Sequence, residues 1–190
     1  MILLDNKTFY QKYSLLIDET KKESFKLEVL QTYVEDGISD WNSLNGKKLS
    51  KLLPKAQKEI LKQKKEFDDC FKKGVKIKRV RYIHFPLDKY LIYELSSFQA
   101  AVDIGEDIDV IEGEKKTINI DITYFKDFLL FDKRKILVHN YIDGKLCGAF
   151  FSEDPTEVAP YLEVRKQVLK SAIPLNDFLN QLSVSFKKYY

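Results

Sequence analysis

The sequence predicts an α/β fold, a single domain in which a mixed β-sheet of about five to seven strands is covered by helices; an α+β arrangement is the alternative. Three observations lead to this prediction. Helix-like and strand-like segments alternate through the middle of the chain, the following part is rich in strand patterns, and no linker divides the chain. A chain of 190 residues with 44% hydrophobic residues can bury one sizeable core, so we assign residues 1–190 to one domain.

The N-terminal part, residues 1–35, is predicted to contain one helix and one strand. The stretch NKTFYQKYSLLIDE begins with Asn6 as a helix cap and repeats its apolar residues at helical spacing. In SFKLEVLQTYV the apolar residues alternate with polar ones, which indicates a strand. Residues 36–48 are rich in Gly, Asn, Asp and Ser and predict a loop, in which Trp41 anchors to the core.

The α/β core is predicted over residues 49–151 and begins with two helix–strand pairs. A lysine-rich helix runs from near Pro54 to Gly74, which stands where a C-terminal cap belongs. The next segments are a strand, VKIKRVRYIHF, a helix starting at Pro86, and a short strand, EDIDVIEG. This order is typical of a βαβ unit, so the two strands should be parallel neighbours.

The rest of the chain is predicted to add strands and then helices. DITYFKDFLLFD and KILVHNYIDGKLCGAFF supply up to three strands. Asp143-Gly144 favours a two-residue hairpin turn, because both central positions of such a turn need positive φ. In that register His139 lies opposite Gly148. Residues 155–187 are predicted to form the C-terminal helices.

The composition argues against several kinds of site. With 32 basic and 29 acidic residues the net charge is only +3, so binding to nucleic acid would require a local basic patch. Two cysteines, two histidines and seven glycines show no metal-ligand or phosphate-loop spacing, so we expect no metal and no cofactor. No apolar run has the length of a signal peptide core or a membrane span, so we expect a cytoplasmic protein without membrane contact.

Catalytic residues are hard to find in the sequence. Cys147 lies near His139 in the hairpin, but the two side chains should point to opposite faces of the sheet. Asp127 and Asp132 frame the segment DFLLFD, and such acids serve either in general acid/base chemistry or as turn formers and partners for arginine. We therefore lean towards a protein that is not an enzyme.

The stretch FKKGVKIKRVRYIHFP allows two interpretations. In the first, Arg79 or Arg81 is buried and paired with Glu94, which interrupts the apolar stripe of the following helix. In the second, Lys76, Lys78, Arg79 and Arg81 bind the phosphates of a nucleic acid. The candidate polar cluster of the first interpretation comprises Arg79, Arg81, Glu94, Asp127 and Asp132.

Long segments of the chain resemble an uncharacterised bacterial family, the domain of unknown function numbered sixty-eight seventy-nine. They are FKLEVLQTY, FKKGVKIKRVRYIHFPLDKYLIYEL, AAVDIGEDIDVI, DFLLFDKRKILVHNYIDGKLCGAFF and DPTEVAPYLEVRKQVLKSAIPL. The family is common in actinomycetes, where it is often encoded beside Xre-type helix-turn-helix regulators. The resemblance therefore implies a regulatory role with a helix-turn-helix protein as partner.

The order of segments is also similar to that of the phospholipase D-like fold. There, too, a helix leads through a Gly-Val turn into a strand, as in CFKKGVKIKRVRYI, and a hairpin like ILVHNYIDGKLCGAF follows. The catalytic motif of that superfamily places a lysine two residues after a histidine. His84 and His139 both lack that lysine, so this resemblance implies a fold without phosphohydrolase chemistry.

We therefore expect a non-enzymatic regulatory or protein-interaction module that works with a helix-turn-helix regulator, with homodimer formation left open. The first alternative is a protein that binds or processes nucleic acid through the basic strand, residues 75–81. The second is a small-ligand sensor whose pocket lies where the loops His84–Leu87 and Ile111–Lys115 meet, at the carboxyl ends of parallel strands.

Overall fold

The computed structural model describes residues 1–34, 54, 57–113 and 120–182, and within them it shows an α/β fold with an eight-stranded mixed sheet. The strands are Ile2–Asp5 (β1), Glu23–Glu28 (β2), Lys76–Ile83 (β3), Asp107–Glu112 (β4), Phe128–Phe131 (β5), Lys135–Ile142 (β6), Lys145–Ser152 (β7) and Ile173–Pro174 (β8). The helices with defined bounds are Asn6–Glu19 (α1), Lys64–Lys72 (α2), Lys89–Asp103 (α3), Pro155–Ser171 (α4) and Leu175–Gln181 (α5). The predicted fold class is confirmed, and the sheet has more strands than predicted.

The strands lie in the order β1-β7-β6-β5-β2-β3-β4-β8. The three central strands β2, β3 and β4 are parallel, and the strands on both sides of them pair antiparallel. The predicted unit of strand, helix and parallel neighbouring strand is therefore confirmed as β3-α3-β4. The two strands that were not predicted, β1 and β8, are the short edges of the sheet.

The two faces of the sheet are covered differently. On one face, α4 packs over a continuous apolar core that includes Phe25, Phe128 and Val164. The opposite face carries two separate apolar clusters. Helices α1 and α2 contribute to the first, with Leu16 among its residues, while α3 and α5 contribute to the second, which contains Leu95. The part of this face that lies between the two clusters is polar.

Three predictions about helices need correction. The cap of α1 is Asp5 rather than Asn6, because the Asp5 carboxylate accepts the Thr8 N–H at 2.8 Å. The helix that follows β3 begins at Lys89 rather than Pro86, because the Asp88 carboxylate accepts the Leu91 N–H at 2.7 Å and caps the helix there. The lysine-rich helix is interrupted, since residues 57–61 are helical and a turn at 62–63 separates them from α2. The predicted loop 36–48, which contains Trp41, lies outside the described residues, and so does part of the lysine-rich helix before residue 57.

The β6–β7 hairpin has the predicted turn but a different register. Asp143 and Gly144 both have positive φ, at 49° and 79°. However, His139 lies opposite Ala149 and not Gly148, because an irregularity at Asn140 shifts the pairing by one residue. The C-terminal helices α4 and α5 follow as predicted, and the end of the range 155–187 lies outside the described residues. Within the described part of the chain, no helix has the length and apolar character needed to cross a membrane.

Candidate functional site

Strands β2 and β3 place four charged side chains side by side on the polar part of the sheet face. The parallel register pairs Lys26 with Arg79 and Glu28 with Arg81, and alternation along each strand turns all four to the same side. Two further acids approach them, one from α3 and one from the turn before β4. We call these six residues the charged cluster: Lys26, Glu28, Arg79, Arg81, Glu94 and Glu106.

Arg81 and Glu94 form the buried ion pair that the sequence suggested. The arginine side chain is 0% exposed, and its Nε donates to Glu94 Oε2 at 2.7 Å. Its two terminal nitrogens donate to the carbonyls of Gln31 and Tyr82, each at 3.3 Å. Burial raises the pKa of Glu94 to about 7, although Arg81 works in the opposite direction. The second oxygen of this carboxylate, Oε1, has no hydrogen-bond partner among the described residues.

Arg79 is bound by carboxylates on two sides. Its Nε and Nη2 donate to the two oxygens of Glu106 at 2.7 and 3.1 Å, and its Nη1 donates to Glu28 at 3.1 Å. The other oxygen of Glu28 pairs with Lys26. Burial opposes ionisation of Glu28, yet the charges of Arg79 and Lys26 hold the pKa of this carboxyl below its usual range. The guanidinium of Arg79 is thus committed to internal partners.

Beside the charged cluster, Asp127 accepts four hydrogen bonds. Its Oδ1 accepts the backbone N–H groups of Val29 and Leu30 at 2.7 and 3.0 Å. Its Oδ2 accepts the hydroxyls of Tyr33 and Tyr141. Burial raises the pKa of Asp127, and the hydrogen bonds from Tyr33 and the backbone oppose that rise. The carboxylate therefore fixes both tyrosine rings and the chain that follows β2.

The bond from Tyr141 to Asp127 also determines the state of His139. Tyr141 gives its only proton to Asp127, so the contact of 3.0 Å between its oxygen and His139 Nδ1 requires a proton on Nδ1. Burial lowers the pKa of His139 to about 3, which keeps the ring neutral near pH 7. Nε2 is then a bare acceptor, and this buried atom has no partner among the described residues. The same holds for the buried Oδ1 of Asn6.

These residues line a cleft of about 780 Å³ between α1 and α3. The charged cluster contributes Lys26, Glu28, Arg79 and Glu94 to its surface, and His139 lies at the side of β6. Five tyrosines also line it: Tyr10, Tyr33, Tyr90, Tyr93 and Tyr141. The ring of Tyr33 lies 5.6 Å from the rings of both Tyr90 and Tyr141, measured between centroids. The cleft therefore combines aromatic surface with fixed charges.

The basic residues predicted to bind nucleic acid do not share one surface. Arg79 and Arg81 point into the polar face, whereas Lys76 and Lys78 occupy the alternate positions of β3 and point to the other face. Lys78 binds Asp107 and Asp109 at 2.8 and 2.6 Å, and Lys76 is exposed. The structure thus divides this candidate set between the two sides of the sheet.

The predicted polar cluster needs one correction, because Asp132 is not part of it. Asp132 lies at the turn between β5 and β6, where its carboxylate accepts the backbone N–H groups of residues 21–23 at 2.7–3.0 Å. Asp127 lies beside the cluster and binds Tyr33, whose ring lies 5.4 Å from the Arg81 guanidinium. The cleft also lies away from the predicted pocket, since residues 84–87 and 111–113 do not line it. Residues 114 and 115 lie outside the described part of the chain.

The predicted polar cluster lacked Lys26, Glu28, Glu106, Tyr33 and Tyr141. A signal existed for the first two, because the segment FKLE alternates apolar and charged residues and thereby places both charges on one face of β2. No comparable local pattern marks Tyr33, which meets Asp127 across 94 positions of sequence.

The comparisons with known proteins agree with this description of the chain. A family model described as "Domain of unknown function (DUF6879)" matches residues 11–180, a range that includes the whole charged cluster and Asp127. A search of curated proteins finds no match. Because the model spans most of the sequence, the protein belongs to the DUF6879 family.

Proposed function

We propose that the protein is a non-enzymatic regulatory module that recognises a small ligand in the cleft between α1 and α3. The observation that supports this proposal is the charged cluster at the centre of the sheet face. Apolar residues fill the same face on both sides of it. Replacing a buried ion pair by apolar side chains is often neutral or stabilising, so folding alone does not account for these six charges. We attribute these charges to the recognition of a ligand.

The size and chemistry of the cleft support a small molecule. Ligand sites usually enclose about 300–1,000 Å³ and combine apolar and aromatic walls with a few convergent polar groups. The cleft has a volume of about 780 Å³, tyrosines in its walls, and a Glu94 carboxyl whose pKa burial raises to about 7. Groups with such shifted pKa values concentrate at functional sites.

Binding agrees with the arrangement better than catalysis does. Arg79 is committed to Glu28 and Glu106, and Arg81 to Glu94. Because burial keeps the pKa of His139 at about 3, this imidazole is a weak general base near neutral pH. The regulatory role and the helix-turn-helix partner rest on the family resemblance, and co-purification of such a protein from the native host would support them.

A thermal-shift screen of the full chain against a metabolite panel tests ligand binding. A ligand at about 100 times its Kd stabilises a protein by about 2.7 kcal/mol, which corresponds to about 5–10 °C in Tm for a chain of this size. The shift should shrink in Tyr10→Ala, which removes an exposed tyrosine of the cleft wall. Leu15→Ala is the matched control, because Leu15 is an equally exposed residue of α1 that does not line the cleft. A panel without any hit, or equal shifts in both variants, would refute the proposal.

A further inference from the structure

We infer that the ligand of this cleft is a small organic cation, whose ammonium or guanidinium group binds the free carboxylate oxygen of Glu94 beside the tyrosine rings. The inference rests on the proposed function and specifies its ligand class. Three independent observations carry it, namely the balance of charge, the chemistry of the unpaired atoms, and the aromatic walls.

Among the described residues, the charged side chains in and directly behind the cleft wall sum to one negative charge. Lys26, Arg79 and Arg81 face four acids, namely Glu28, Glu94, Glu106 and Asp127. On the cleft surface itself the described charges are balanced, because Lys26, Arg79 and Lys145 stand against Glu28, Glu59 and Glu94. The excess of one negative charge comes from Arg81, Glu106 and Asp127, which bind residues of the cleft wall without lining it. A cation therefore compensates the site, whereas an anion adds to its excess of negative charge.

The unpaired polar atoms of the described residues that line the cleft are acceptors, whereas the unpaired donor Arg165 Nε lies outside it. Glu94 is only 7% exposed and lines the cleft, and its Oε1 has no hydrogen-bond partner among the described residues. The buried Nε2 of His139 and the buried Oδ1 of Asn6 are equally without a partner in this part of the chain. A buried acceptor without a partner destabilises the protein, because it has lost its hydrogen bonds to water. A ligand rich in N–H donors is the kind that satisfies such atoms.

The tyrosines supply surface that attracts cations. Tyr90 lies four residues before Glu94 on α3, so both side chains project from the same side of that helix. The ring of Tyr33 lies between those of Tyr90 and Tyr141, with both centroids at 5.6 Å. The faces of aromatic rings attract ammonium and guanidinium groups. A carboxylate next to several tyrosines is thus suited to an amine.

The protonation of Glu94 fits the same ligand class. Burial raises the pKa of this carboxyl even though Arg81 is bound to it, so burial favours the form with a proton over the ionised form. Its other charged neighbours are Glu28, which raises this pKa, and Arg79, which lowers it. A bound cation would take the place of that proton and stabilise the ionised carboxylate.

A matched series of probes tests the charge preference on the unmodified full-length protein. 2-Phenylethylamine, 2-phenylethanol and 3-phenylpropanoate share a similar body and differ in carrying a cation, a neutral hydroxyl or an anion; agmatine adds a guanidinium. We expect isothermal titration and thermal shifts to show that the amine, agmatine or both bind at least about tenfold more tightly than the alcohol and the carboxylate. Tighter binding of the alcohol or the carboxylate would overturn the inference, and so would the absence of binding by all four probes.

The outcome separates this inference from the proposed function. If the metabolite panel yields only neutral or anionic hits that Tyr10→Ala weakens, the cleft is a ligand site and the cation inference is wrong. For a cationic hit, Glu94→Gln should lower the affinity at least about tenfold, since it removes the charge and keeps the shape. Should that variant fail to fold, the selectivity among the four probes decides the question without it. Unchanged affinity in folded Glu94→Gln protein would also overturn the inference.

Discussion

Replacing Arg81 by Met is the sharpest test of the charged cluster. The substitution keeps much of the side-chain volume and removes the guanidinium that donates to Glu94 at 2.7 Å. It also removes two donors at 3.3 Å from the carbonyls of Gln31 and Tyr82. Breaking a buried pair from one side costs about 3–5 kcal/mol, because the remaining charge stays away from water. Glu94 escapes part of this cost by taking up a proton, so we expect about 3 kcal/mol at pH 7.

Urea denaturation measures this loss as a lower midpoint at unchanged slope. The free energy of unfolding of the double variant Arg81→Met/Glu94→Leu should differ from that of the wild type by less than about 2 kcal/mol, since the double variant leaves no unpaired charge. The coupling energy between the two sites should reach about 2 kcal/mol. The loss in Arg81→Met should be larger at pH 8 than at pH 5. Without its arginine, Glu94 has a pKa in the folded state that lies further above the unfolded value than in the wild type. Between these two pKa values the folded state binds a proton that the unfolded state lacks, so the free energy of unfolding decreases as the pH rises.

An exposed ion pair of the same length provides the control. Lys64 binds Asp68 at 2.7 Å on α2, but the two side chains are 57% and 42% exposed. Lys64→Ala should therefore cost no more than about 0.5 kcal/mol. A loss below about 1 kcal/mol in Arg81→Met, or a double variant that costs the sum of the single ones, would refute the account of the cluster as a coupled buried network.

Two further predictions concern His139 and Asp132. Burial holds the pKa of His139 at about 3 in the folded protein. Between about pH 6.5 and pH 3 the unfolded chain therefore binds a proton that the folded chain does not. The free energy of unfolding falls by up to about 1.4 kcal/mol for each unit by which the pH is lowered in this range. Urea unfolding from pH 7 to pH 4 should show a flatter decline in His139→Gln, and equal slopes would contradict the assigned neutral ring. Asp132→Ala should cost about 1–2 kcal/mol at pH 7, as for the loss of a helix cap, because three backbone N–H groups lose their acceptor. The hydrogen bonds of those groups outweigh burial and lower the pKa of Asp132, so the stability difference between the variant and the wild type should shrink in thermal melts as the pH falls through that lowered pKa. A pH-independent part should remain, because the backbone φ of 51° at this position is less favourable for alanine than for aspartate. A difference that does not change with pH would contradict the assigned hydrogen bonds.

The elements that the sequence predicted well are those with several full periods. Helix α1 occupies the whole predicted stretch, and the β3-α3-β4 unit has the predicted parallel pairing. Strands β1 and β8 have four and two residues, too few for an alternation to be recognised. The hairpin turn was predicted by Asp143-Gly144, but the shift at Asn140 depends on pairing between strands and leaves no mark in either strand alone.

The candidate site was only partly predictable, because its members differ in how strongly they disturb a local pattern. Glu94 stands out as a charge among apolar residues of α3, and it does bind Arg81. Lys26 and Glu28 alternate with apolar residues, which is also the pattern of an ordinary strand with one solvent-exposed face. Whether such a face is solvent-exposed or buried depends on which helices cover it, and that is a property of the whole fold.

The internal partners of the arginines bear on the nucleic-acid alternative. A phosphate that binds Arg79 or Arg81 must displace carboxylates already at 2.7–3.1 Å in a buried place. Lys78 is held by Asp107 and Asp109 on the other face. Of the four basic residues only Lys76 is fully exposed, and one phosphate contact gives weak binding. These contacts argue against phosphate binding by this set of four residues.

The position of the cleft gives the proposed regulatory role a physical basis. Tyr10 belongs to α1 and Glu94 to α3, and these helices pack into separate apolar clusters on the same face of the sheet. A ligand that contacts both side chains connects the two clusters, and its binding energy then depends on their relative position. By the same linkage, a protein partner that binds one relative position of the two clusters more tightly changes the affinity of the cleft for its ligand. Recognition in the cleft and recognition of a protein partner are therefore compatible functions of one structure.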